Sequence, residues 1–150
     1  MNTFMELAKK NAEIGVSKNE GGPFGAVIVD ENNNIIANGN NKVLLQNDPT
    51  AHAEIVAIRS ACKKMHTYDL SGMTIYTSCE PCPMCLSAII WSNISNVYFA
   101  CTKNDAANIG FRDDAIYEYL KGFNKSLLNL TQIDRLECLD LFKNYNKTIY

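Results

Sequence analysis

The sequence predicts a three-layer α/β/α sandwich around a central mixed sheet of about five strands. Three observations predict it. Short apolar runs alternate with segments of helical periodicity along most of the chain, which is the pattern of strands covered by helices. Two of the runs are close enough together to form a hairpin, so part of the sheet is antiparallel. The 150 residues, 47% hydrophobic and 20% charged, suit one domain and exclude a disordered chain.

The elements follow in order. Phe4, Leu7, Ala8 and Ala12 recur at helical spacing and predict an amphipathic helix that ends before Gly21-Gly22-Pro23. The run from Phe24 to Asp30 reads as a buried strand, Glu31 to Asn34 as a turn, and Ile35 to Gly39 as the returning strand. Asp48-Pro49-Thr50 is a helix-start signal, with Asp48 or Thr50 as cap. Ala51, Ile55, Ile58, Cys62 and Met65 mark that helix's inward stripe. Gly72 to Ser78 is the third strand. Pro81 and Pro83 open a helix expected to turn Leu86, Ile89 and Ile90 inward, and Val97 to Ala100 reads as a strand covered on both faces. Helices near Ala115 to Lys121 and around Cys138, Leu141, Phe142 and Tyr145 complete the chain. Antiparallel pairing is expected only within the hairpin.

Charge and cysteine usage narrow the function. Fourteen basic against sixteen acidic residues give a net charge of −2, and Lys9-Lys10 and Lys63-Lys64 are isolated pairs. A phosphate-backbone binder needs a basic face, so no nucleic-acid partner is expected. The chain begins without an apolar targeting segment, and Met84 to Trp91 is only about a third of a membrane span. A cytoplasmic protein without a membrane partner is the expectation, so the six cysteines point to metal chemistry rather than disulfides.

Two short motifs carry that chemistry. His52-Ala53-Glu54 and Pro81-Cys82-Pro83-Met84-Cys85 each sit at a predicted helix start. Cysteines at i and i+3 share a helix face, and a helix N-terminus favours thiolates. Adding the His52 ring gives a sulfur and nitrogen donor set that suits one Zn2+ per subunit. Three protein ligands leave a fourth position open, where zinc acidifies a water to a pKa of about 7. Glu54, two residues beyond His52, is placed to take that proton as the catalytic acid and base. A closed structural zinc cluster that recruits Cys79 as a fourth ligand is the competing reading. Cys62, Cys101 and Cys138 are expected in the core, and His66 at a helix end.

The segments GGPFGAVIV from Gly21, NDPTAHAE from Asn47 and YTSCEPCPMCLSAIIW from Tyr76 resemble the cytidine-deaminase-like superfamily. H-x-E followed by P-C-x-x-C is the signature of its zinc nucleobase deaminases. The likeness runs through DAANIGFRDDAIY to the chain end and is greatest toward the small bacterial guanine deaminases. It implies hydrolytic deamination of guanine to xanthine, with His52, Cys82 and Cys85 as metal ligands and Glu54 as the proton shuttle. By the same resemblance Asn41, Phe24 and Asp113 contact a small-molecule nucleobase. It further implies a homodimer that exchanges its C-terminal segment, about residues 130–150, so that Tyr150 closes over the pocket and Trp91 approaches the partner's site. Two departures stand out: Arg112 precedes Asp113, and Lys121 to Asp134 match loosely. Deamination of cytosine, cytidine, guanosine or a tRNA adenosine uses the same zinc motifs, and a non-enzymatic zinc module remains a third class.

Overall fold

Asn2 opens the first helix by accepting at its side-chain oxygen from the backbone N–H groups of Phe4 and Met5, at 2.9 and 3.1 Å. The structure, a computed structural model describing residues 1–150, continues from there in alternating elements. They are α1 (Thr3–Ser17), β1 (Gly25–Val29), β2 (Ile35–Asn40), α2 (Val43–Gln46), α3 (Ala53–Met65), β3 (Thr74–Cys79), α4 (Pro83–Trp91), β4 (Asn96–Cys101), α5 (Lys103–Asn108), α6 (Asp113–Leu120) and α7 (Arg135–Lys143). A 3₁₀ turn at Lys125–Leu127 precedes α7. Contacts within the chain fall into two groups, Met1–Asp114 and Ala115–Tyr150.

Within Met1–Asp114 the sheet has the order β2-β1-β3-β4. All five residues of β1 are buried, as an unbroken apolar strand between two helical layers requires. Ala8 of α1 packs with Val27, Val29 and Tyr76 on one face. Ala53, Ala57 and Ala61 of α3 pack with Ala26, Ile28, Ala37 and Ile75 on the other. The three-layer reading therefore holds.

Several details differ from the sequence reading. The sheet has four strands rather than about five, because a capping box between Thr102 and Asp105 starts α5 directly after β4. Antiparallel pairing is not confined to the hairpin: β1 runs antiparallel to both β2 and β3, and only β3 and β4 are parallel neighbours. The chain leaves β2, crosses over in α3 and returns on the far side of β1, so the central strand opposes both flanking strands. As an edge strand β4 is not covered on both faces; Tyr98 and Phe99 stand about half exposed. Cys101 is exposed on it, and Cys138 is exposed on α7, so neither is a core residue; Cys62 is half-buried.

The inward stripes also shift. Of the expected stripe on α3, Ala51 and Ile55 are buried, Ile58 and Cys62 pack only partly and Met65 is exposed, while Ala53, Ala57 and Ala61 form the row that packs on the sheet. Along α4 it is Cys85 and Ile89, four residues apart, which turns Leu86 and Ile90 outward against expectation. Residues 115–150 contain no buried side chain. No helix is long and apolar enough to cross a membrane.

Gly39 sets how closely α3 approaches the sheet. A Cβ at this position would overlap the Ala53 carbonyl oxygen and come within 2.8 Å of the Ala57 backbone nitrogen. Backbone on both sides cannot yield as a flexible side chain would. Gly39→Ala is expected to lower the unfolding free energy by about 1–3 kcal/mol, measured by urea denaturation. An unchanged midpoint would show that α3 can lift away freely.

Candidate metal centre and active site

The site begins where α3 begins. Asp48 Oδ1 accepts from the Thr50 N–H and hydroxyl at 2.8 and 2.7 Å, closing a local turn. That turn uses up the predicted caps, and the helix starts at Ala53 with His52 as its N-cap. His52 makes no side-chain capping bond, so its ring is available for other partners. Cys82 is likewise the N-cap of α4 without a side-chain capping bond, followed by Pro83 in the first turn. Two helix N-termini thus meet at one point.

Their side chains converge. His52 Nδ1 lies 3.6 Å from Cys82 Sγ and 3.5 Å from Cys85 Sγ, and the three donor atoms all fall within 4.8 Å of one another. The Cys82 thiol is lowered to about 4, first by donation from the Cys85 thiol and then by the His52 ring. Cys85 is pushed up, because the same hydrogen bond and its burial keep its proton in place. His52 is raised by its bond to Cys82. A proton is shared inside a cluster of two sulfurs and one imidazole nitrogen, a donor set that fits a zinc ion.

Cys79 stays outside the cluster. Its thiol donates to the Thr102 carbonyl at 3.6 Å, and burial pushes it up to about 12, so it remains protonated. Three donors fall one short of a closed structural zinc site. Glu54 is buried, and burial raises its carboxyl above the usual carboxylate range. Its Oε1 lies 3.4 Å from the Thr77 hydroxyl, which donates to the Cys79 carbonyl at 2.8 Å.

A cavity of about 370 Å³ opens beside this cluster and is lined by Phe24, Asn41, His52, Glu54, Cys82 and Asp113, all expected from the sequence. Cys85 sits buried next to it in the donor group. Asn41 is buried; its Oδ1 accepts from the Val43 N–H at 3.1 Å, which leaves its NH2 group to offer a ligand. Asp113 is raised chiefly by burial. Arg112 turns away from it and engages Asp114 at 3.2 and 3.5 Å, so the unexpected arginine leaves Asp113 facing the cavity. Trp91, at the end of α4, is two-thirds exposed and does not line the cavity. Tyr150 is exposed at the chain end, and His66 is an exposed left-handed C-cap of α3.

Residues 1–101 match the family described as the cytidine and deoxycytidylate deaminase zinc-binding region. The chain belongs to this deaminase family. It is 53% identical over 116 residues to the guanine deaminase of Bacillus subtilis (strain 168), a stretch covering 77% of this chain and 74% of that protein. A tRNA-specific adenosine deaminase of Haemophilus influenzae is 42% identical over 108 residues, covering 72% and 60%. The X-ray structure of the Bacillus subtilis guanine deaminase superposes with a TM-score of 0.86 at 42% identity, over 100% of this chain and 99% of that one. A guanine deaminase from Nitrosomonas europaea gives 0.69 at 33% identity, over 73% and 63%.

The sequence of this deaminase-family chain did not point to five of the lining residues: Val43, Leu44, Pro49, Glu80 and Phe111. Glu80 and Phe111 flank recognised motifs, and adjacency to Cys79 and Asp113 was the available signal. Metal content separates ligands from bystanders. Cys82→Ser and Cys85→Ser should each lose most bound zinc by elemental analysis, while Cys79→Ser keeps it. Zinc lost from Cys79→Ser would restore the closed-cluster reading.

Proposed function

We propose that the chain catalyses hydrolytic deamination of guanine to xanthine and ammonia in the cytoplasm, as a step in purine catabolism or salvage. The superposition with a guanine deaminase over the whole of both chains carries this reading. The cavity adds to it, since it sets a donor at Asn41 and an acceptor at Asp113 around the buried carboxyl of Glu54.

His52, Cys82 and Cys85 would hold zinc, which would supply an acidified water to the reaction. Glu54 takes a proton from the attacking water and delivers it to a ring nitrogen as oxygen adds at C2. Glu54 then takes the proton of the new C2 hydroxyl and passes it to the amino group, which leaves as ammonia as the C2 carbonyl forms. Burial suits it to this exchange, because a carboxyl raised toward neutrality both accepts and returns protons readily. Asp113 accepts from the ring N–H and amino side of guanine, Asn41 donates to an acceptor on its edge, and Phe24 packs against the ring. A wrong base leaves the buried Asn41 and the half-buried Asp113 unpaired beneath it, which discriminates strongly.

The active form in this reading is a homodimer that exchanges residues 130–150, bringing Tyr150 over the partner's pocket and Trp91 toward it. The exposure of Leu130, Leu141, Phe142 and Ile149 supports a tail that finds its cover on another copy.

Ammonia release from guanine, guanosine, cytosine, cytidine and adenine, with zinc-stripped protein as control, tests the substrate. Guanine should react and the others should not; turnover of another member with guanine inert would replace it. Salt-sensitive binding and deamination of tRNA would favour the adenosine deaminase reading instead. Glu54→Ala should keep stoichiometric zinc and lose at least about 10²–10⁴-fold in turnover. Mixed with Tyr150→Ala under subunit exchange, it should regain part of the lost activity. No recovery from a mixture that forms mixed dimers would sink the exchanged tail.

A further inference from the structure

We propose that Phe111 is a specificity-determining residue of this site, forming with Phe24 an aromatic corner on which the flat face of the base stacks. The inference rests on the guanine reading and extends it to a residue that neither motif contains.

The two rings meet edge to face, with centroids 4.9 Å apart and planes at 85°, and both line the cavity that holds His52, Glu54 and Asp113. An edge-to-face pair leaves at least one face of each ring free of the other. Phe111 is held in place by its backbone: its N–H donates to the Ala106 carbonyl at 3.0 Å, and Ala106 is the buried residue of α5. Phe24 is held as firmly, since its carbonyl accepts from the Asn41 N–H at 3.0 Å. Gly22 makes the corner possible, because a Cβ there would come within 3.0 Å of both rings. The ring itself stays 38% exposed, so its own burial does not account for this anchoring.

Phe111 lies two residues before Asp113 on one short segment. One wall therefore offers a π-face for the plane of the base and a carboxylate for its edge. The rest of the apolar lining, at Val43, Leu44 and Pro49, is aliphatic and supplies area without a π-face. A planar heteroaromatic ring gains from such a corner what a saturated group of equal size does not.

Steady-state kinetics of Phe111 variants test it. Phe111→Ala and Phe111→Leu should each raise KM for guanine about five- to tenfold, with kcat within about twofold and zinc content unchanged. Phe111→Tyr should restore KM. Phe111→Leu keeps apolar volume and the backbone anchor, so it reports on the π-face even where the alanine variant fails to fold. A wild-type KM in Phe111→Leu, or a fall in kcat at constant KM, would overturn the inference. Wild-type protein inert on guanine would instead overturn the substrate reading. The same variants would then be measured on whichever base of the panel reacts, where an unchanged KM still counts against Phe111, as does a panel without turnover.

Discussion

Everything in the site depends on one convergence: an imidazole nitrogen held between two thiols, 3.6 and 3.5 Å away, where two helices start. Helix N-termini concentrate unpaired N–H groups and partial positive charge, and thiolates are the side chains that such an environment stabilises. Neither His52 nor Cys82 caps its own helix through its side chain, so both are released toward the metal position. The sheet exists, in this sense, to bring α3 and α4 to the same point. Gly39 lets α3 lie close on β2, and the parallel β3–α4–β4 unit delivers the second helix.

The chemistry was more legible in the sequence than the packing around it. His52, Glu54, Cys82 and Cys85 stand in two short segments, where spacing along one helix turn decides which way side chains point. Such local geometry survives almost any tertiary arrangement. The antiparallel β1–β3 pairing was hidden, because a strand's direction is set by where the preceding crossover returns, not by its own residues. The exposure of Tyr98 and Phe99 was hidden too: an apolar run looks alike in a central strand and at an edge. Asp48 and Thr50 misled for a subtler reason, since the same side chains close an Asx turn as readily as they cap a helix.

Phe111 shows a third kind of illegibility. Beyond its nearness to Asp113, GFRDD does not distinguish a pocket aromatic from a surface one; its place follows from the Ala106 carbonyl, the capping box that starts α5 and the absent side chain of Gly22. Asp113 was reachable only through family resemblance, and its availability turns on Arg112 choosing Asp114. Pocket walls made by long-range packing are read from coordinates, while metal grips made within one helix turn are read from letters.

The stripe of α4 has a thermodynamic consequence. Cys85 and Ile89 are successive positions on one helix face, the first one of the three clustered candidate metal donors and the second almost wholly enclosed in the main hydrophobic cluster. Whatever fixes one fixes the other, so ligation and burial draw on the same four-residue stretch. Binding to the folded state alone adds its own free energy to folding. Removing a metal from this donor group is therefore expected to loosen α4 as well as to stop the chemistry.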